Sequence, residues 1–133
     1  IVGILPYYQN QILLCQRAID PGYGLWTIPS GFMECNESIQ DGAKREAVEE
    51  AGIHCQNLQL FVIYSISHIS QVYMLFISEL DSDKTDLGSE TLATKFFSFK
   101  DIPWDDIAFS SVEFSLRKFI DHYPIQKDCY FIK

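Results

Sequence analysis

Apolar residues fall in short runs separated by turn formers, and the spacing inside those runs changes along the chain. Val2 to Tyr8 and Gln11 to Arg17 read as two strands joined at Asn10, the second running apolar through Ile12-Leu13-Leu14. Asp20-Pro21-Gly22-Tyr23-Gly24 is a turn-rich loop, and Trp26-Thr27-Ile28-Pro29 a short extended piece ended by Pro29 and Gly31. Ser38 to Ala51 is the clearest helix, with Ser38 as a candidate N-cap and Gly52 at the position where a left-handed residue commonly ends a helix. Leu58 to Ile66 and Gln71 to Leu80 are β-rich, Asp81 to Ser89 is a polar exposed loop, and Lys95 to Phe99 is another strand. Ser110 or Ser111 is expected to cap a final helix ending near Tyr123-Pro124. Strands, helix, strands, helix over residues 1–133 predict one α/β domain with a mixed sheet between helices.

The Ser38–Ala51 helix is also where chemistry concentrates. Glu46, Glu49 and Glu50 stand at i, i+3 and i+4, so their carboxylates share one side. Ala43, Ala47 and Ala51 form an adjacent stripe small enough to bring the helix close to a sheet or loop. Like-charged helical neighbours cost a few tenths of a kcal/mol per pair, and a hard cation such as Mg²⁺, which takes oxygen ligands, relieves that cost. Arg45 reaches Glu49 one turn later. A solvated acidic face is the competing reading for a Glu pair taken alone.

Composition narrows the alternatives. The chain has 133 residues, 47% of them hydrophobic, enough for one packed core. No apolar run approaches the roughly 20 residues that span a bilayer, which points to a cytoplasmic protein without a membrane partner. A net charge of −8 argues against a general nucleic-acid binder. An acidic protein can still handle a phosphate substrate if divalent cations neutralise both. Cys15, Cys35, Cys55 and Cys129 make no C-x-x-C pair and read as reduced small hydrophobes; His54, His68 and His122 form no cluster. The chain opens on Ile1 without an initiator Met, so a preceding segment, such as a small zinc module, is an open expectation. The aromatic content leaves room for a homodimer interface.

Read as one stretch, Gly31 is followed after five residues by Glu37, and after seven more by Arg45-Glu46-Ala47-Val48-Glu49-Glu50-Ala51-Gly52-Ile53. This resembles the Nudix hydrolase signature G-x5-E-x7-R-E-U-x-E-E-x-G-U, where U is a bulky aliphatic residue. Every fixed position matches, and Ala47 is smaller than the usual aliphatic. Leu14-Cys15-Gln16-Arg17 and Leu25 to Phe32 look like the approach to the Nudix loop. The resemblance implies a loop–helix–loop motif on an α/β/α sandwich, the Nudix fold, hydrolysing a nucleoside diphosphate linked to another group. It implies metal ligation by Glu46, Glu49 and Glu50, with Mg²⁺ as the cofactor, Mn²⁺ as an alternative, and the Ser30 carbonyl as a further ligand. Glu37 and Arg45 would brace the loop against the helix.

The general base has two candidates under that resemblance: Glu49 inside the motif, and Glu90 at the end of the polar loop. Relatives often carry a second acid three residues on, where this chain has Ala93; Glu90 reads equally as a surface acid. Ile19 to Trp26 and Asp101 to Phe109 look similar to Nudix enzymes acting on ADP-ribose, FAD and related dinucleotides. Tyr23, Trp26, Trp104 and Phe109 are candidates to stack on a base, with Tyr23 and Trp26 favoured, and Arg17 is a candidate phosphate ligand. Core packing competes for each ring, and a surface ion pair competes for Arg17. The expected partner is a small nucleotide. The rival substrates are nucleoside triphosphates or diadenosine polyphosphates, and the rival class is a non-catalytic nucleotide sensor.

Overall fold

The computed structural model describes residues 1–133. Strands β1 (Val2–Tyr8) and β2 (Gln11–Arg17) turn on Gln9 and Asn10, both at positive φ, which suits the right-handed twist of a tight hairpin. Their side chains alternate between two cores. Leu5, Ile12 and Leu14 face one; Val2, Ile4, Leu13 and Cys15 face the other. A sheet covered on both faces explains strands that read as nearly continuous apolar runs.

Strands β3 (Trp26–Thr27), β4 (Ser30–Gly31), β5 (Gln59–Ile66), β6 (Gln71–Glu79), β7 (Thr91–Ser98) and β8 (Phe131–Ile132) complete the sheet. Its spine runs β3-β2-β1-β6-β5-β8, with β4 on β1 and β7 on β2. The β1–β6 and β5–β8 pairs are parallel and the others antiparallel, so the sheet is mixed as expected.

Helix α1 (Ile39–Ala51) lies on one face. Ser38 caps it by accepting from the Asp41 N–H, and Gly52 ends it at φ 64°. Ala43, Ala47 and Ala51 are fully buried, which lets the helix lie close to β1. Helix α2 (Ser110–His122) covers the other face with Val112, Leu116 and Phe119, all fully buried and each worth about 1.5–3 kcal/mol of transfer free energy. The result is the α/β/α sandwich. No helix is long and apolar enough to cross a membrane.

Three local expectations change, and one strand had no sequence signal. The strand expected from Lys95 begins at Thr91, because β2 pairs with it from Ser98 back to Thr91 opposite Arg17. The extended piece expected from Trp26 to Pro29 is strand only at Trp26–Thr27, paired with β2, and a separate strand after Pro29, Ser30–Gly31, pairs with β1. Neither Ser110 nor Ser111 caps α2: Phe109 occupies the N-cap without a side-chain bond, and both serines are helical. Strand β8 is two residues long, too short for a periodic signal.

Candidate active site

The motif loop is fastened to α1 by Arg45. Its Nε and Nη2 donate to both oxygens of Glu37 (2.5 and 3.1 Å), and Nη2 also donates to the Phe32 carbonyl (3.0 Å). Glu37 also accepts from the Glu34 N–H at 2.9 Å. Arg45, then that backbone N–H, hold the Glu37 carboxyl below the usual carboxylate range. The remaining guanidinium nitrogen, Nη1, spans Glu46 (2.9 Å) and Glu49 (3.2 Å). The brace expected of Glu37 and Arg45 is this network.

The three acids of the helix differ in setting. The Glu49 side chain is 55% exposed, whereas that of Glu46 is 12% exposed and lies on Gly31. A β-carbon at Gly31 would collide with the Glu46 carboxylate, so a side chain there would force that carboxylate to move. Burial raises Glu46 against the opposing pull of Arg45. Glu50 lines the same cleft and accepts from the Ser30 N–H at 3.2 Å. Burial, then the neighbouring Glu46 charge, push its pKa up to about 8.

Glu90 arrives from across the sheet. The loop before β7 docks on the end of α1: the Asp86 N–H donates to the Ala51 carbonyl at 2.8 Å, and Gly88 lies against the Glu49 carbonyl. The Glu90 carbonyl then accepts from the Ala18 N–H at 2.9 Å. Its carboxylate adds to the negative field on Glu46 and Glu50.

These acids form one wall of a cleft of about 810 Å³. Arg17, Tyr64, Ile66, His68 and Phe109 line other parts of it. Arg17 is held in place: its Nε donates to the Pro21 carbonyl at 2.7 Å, and its guanidinium lies 5.0 Å from the Phe109 ring centre. It makes no ion pair, in a chain with 18 acidic residues.

Two expected substrate contacts do not line the cleft. Trp26 spends its ring on an edge-to-face contact with Phe97, 5.1 Å between centres, and packs on the core. Tyr23 is 60% exposed on the outer loop. Trp104 stacks under Arg117 instead, and Phe109 is the named aromatic that lines the cleft. Sequence reasoning missed the wall from β5, β6 and the turn between them, Tyr64, His68, Gln71 and Tyr73, because strand pairing alone brings it to the motif.

As the side chains lie, no three acids, histidines or cysteines converge closely enough to enclose a metal ion, and Arg45 ties Glu46 to Glu49. The donor set nevertheless suits a hard divalent cation. It is all oxygen, and Glu50 is a half-buried carboxylate with a single hydrogen-bond donor and a raised pKa.

The profile of the NUDIX domain family matches residues 1–122. The chain belongs to the Nudix family. A crystal structure of a NUDIX hydrolase from Nitrosomonas europaea superimposes on this domain with a TM-score of 0.93 and 40% identity, covering 98% of this chain and 74% of that one. The NAD-capped RNA hydrolase NudC of Vibrio parahaemolyticus is 32% identical over 96 residues, covering 71% of this chain and 36% of the relative. An ADP-ribose pyrophosphatase of Methanocaldococcus jannaschii is 28% identical over 100 residues, covering 71% of this chain and 58% of the relative. This Nudix chain therefore spans about a third of one curated relative and just over half of the other.

Proposed function

We propose that this Nudix domain hydrolyses the diphosphate of a nucleoside diphosphate linked to a second moiety, with ADP-ribose or a dinucleotide such as FAD or NADH as substrate and AMP as a product. The observation that carries this reading is the polarity of the cleft. Glu46, Glu49, Glu50 and Glu90 line it together with a pre-oriented, unpaired Arg17 and the Phe109 ring. A diphosphate needs cations along its length, and a base or sugar needs a flat apolar contact.

In this reading Glu46, Glu49 and Glu50 hold Mg²⁺, or Mn²⁺ in its place, with the Ser30 carbonyl as a further ligand. Held by these residues, such a cation would offset the charge repulsion between substrate and protein and would lower the pKa of water. Arg17 binds a phosphate oxygen, and Phe109 with Tyr64 flanks the base or sugar. Glu49 or Glu90 takes the proton of the attacking water. The names of the matched relatives support a diphosphate joining an adenosine to a second group, and the chain's acidity favours a free nucleotide over one carried on RNA.

A panel of ADP-ribose, FAD, NADH, diadenosine polyphosphates and dNTPs with Mg²⁺ tests the reading. ADP-ribose or a dinucleotide should turn over fastest, releasing AMP, and Glu50→Gln should abolish turnover. Fastest release of pyrophosphate from a dNTP would replace this substrate class with the triphosphate reading. No turnover of any substrate, with Glu50→Gln binding ligands as the parent does, would end the hydrolase reading.

A further inference from the structure

The two helices begin differently. Helix α1 starts on Ser38, whose hydroxyl accepts from the Asp41 N–H, while α2 starts on Phe109, whose side chain caps nothing. The first N–H groups of a helix have no partner inside it and carry its partial positive charge. In α2 the Val112 and Glu113 N–H groups share the Phe109 carbonyl at 3.1 and 3.0 Å, and those of Ser110 and Ser111 meet no acceptor in the protein. Glu113, the acid of that first turn, pairs with Arg117 at 3.6 Å.

This open end faces the cleft, which Phe109, Ser110 and Ser111 line together with Arg17. Ser111 is 5% exposed, yet its hydroxyl makes no hydrogen bond; its carbonyl is engaged, accepting from the Ser115 hydroxyl at 2.7 Å. Alanine would fill that position without a spare donor, so a buried hydroxyl left unpaired on a cleft wall calls for a partner. The Ser110 hydroxyl, by contrast, accepts from Tyr64 at 3.3 Å. Arg17 adds a second positive group, since its guanidinium lies 5.0 Å from the ring centre of Phe109, the residue on which α2 begins. A cation is disfavoured near a helix N-terminus unless an anion lies between them.

We propose that the N-terminus of α2 is a phosphate subsite, in which the Ser110 and Ser111 N–H groups, the Ser111 hydroxyl and the Arg17 guanidinium bind one phosphoryl group. Helix N-termini bind phosphate in this way because free N–H groups and the helix dipole act together. The inference rests on the hydrolase reading only for making that group part of the substrate. A diphosphate then has two kinds of holder: the acid row with its cation for one phosphoryl group, and α2 with Arg17, which need no metal, for the other.

The test is a titration with inorganic phosphate in chelator, followed by the backbone amide resonances of the whole domain. Phosphate should move the Ser110 and Ser111 amides saturably. Ser111→Ala should weaken that binding about tenfold, the loss of one hydrogen bond to a charged group, with a Tm at or above the parent's. Ser110→Asp should abolish it and raise the Tm, because a carboxylate in the first turn suits the helix and repels the anion. With the best substrate of the panel, Ser111→Ala should raise KM about tenfold and leave kcat within about twofold. Phosphate that leaves both amides unmoved, or binds Ser111→Ala as it binds the parent, would overturn the subsite. Adenosine moving the two amides where phosphate does not would assign this end of α2 to a base and overturn it equally. A parent that hydrolyses nothing would remove the hydrolase reading alone, and the phosphate titration would still decide the subsite.

Discussion

Gly31 and Glu46 share one space: the carboxylate of the glutamate rests where a side chain on the glycine would be. Gly31→Ala should therefore displace Glu46 instead of merely stiffening a loop. Overpacking of this kind costs about 1–3 kcal/mol, and if Glu46 holds the metal as proposed, its displacement should cost more in rate than in stability. Melting and turnover measured together should show a modest fall in Tm beside a drop in kcat/KM of at least about 100-fold. A variant as active as the parent would mean that Glu46 has room elsewhere.

Arg45 joins the motif loop to α1 through a fork that lysine cannot reproduce. Arg45→Lys should lose the paired bonds to Glu37 and the bond to the Phe32 carbonyl, lowering the denaturant midpoint of the domain. Denaturant unfolding of Arg45→Lys, Glu37→Gln and the double variant would check this. The double variant should lose far less than the sum of the singles, since both remove the same contact.

Glu50 gives the metal-free protein a distinctive pH dependence. Its folded pKa, about 8, lies above the ordinary carboxylate value, so between them the folded state holds a proton that the unfolded state has released. Glu50 thus contributes stability that is fully present at low pH and lost as pH rises through about 8. Glu37, held below its ordinary value, acts in the opposite sense, and its contribution is lost only as pH falls into the acid range. Melting curves in chelator from pH 6 to pH 9 should show Tm falling as pH rises. Glu50→Gln should flatten that slope; an unchanged slope would remove Glu50 as its source.

The motif region was legible in the sequence because it is local. Helix α1, its Ser38 cap, its Gly52 end and the small-residue stripe all lie within fifteen consecutive residues, where helical spacing alone sets which side chains are neighbours. The rest of the cleft depends on pairings distant in sequence. Tyr73 reaches Ser30 only because β6 lies beside β1 and Gly3 leaves the gap. Trp26 and Tyr23 lie off that cleft: an aromatic beside a motif looks the same whether it lines a cleft or packs elsewhere, and the Phe97 ring against Trp26 is 71 residues away.

The two candidate bases occupy different settings, which makes them separable. Glu49 is tied to Arg45 at 3.2 Å, while Glu90 hangs from a loop fastened to the end of α1 and to Ala18. Glu49→Gln and Glu90→Gln should differ in the pH profile of kcat. The variant that loses the acidic limb has lost the base, with a rate drop of about 10²–10⁴. The other should keep the limb and shift only the Mg²⁺ concentration needed for half-maximal rate.

Arg17 offers the sharpest separation of binding from chemistry. Its guanidinium is fixed on one side by the Pro21 carbonyl and on its face by Phe109, and no carboxylate claims it. A cation held that way loses little rotamer entropy when an anion arrives, so its contribution should appear in affinity. Arg17→Ala should raise KM for the best diphosphate substrate by about 10–100-fold, the loss of one charge-assisted bidentate contact. The value of kcat should change far less, because Arg17 is not part of the acid row. Arg17→Lys should recover only part of the loss, since an ammonium restores the charge without the fork. The defect should shrink as salt is raised, because the parent loses its electrostatic advantage while Arg17→Ala has none to lose. A variant with normal KM and depressed kcat would place the guanidinium in the transition state, and would move Arg17 from recognition into the chemistry of the step.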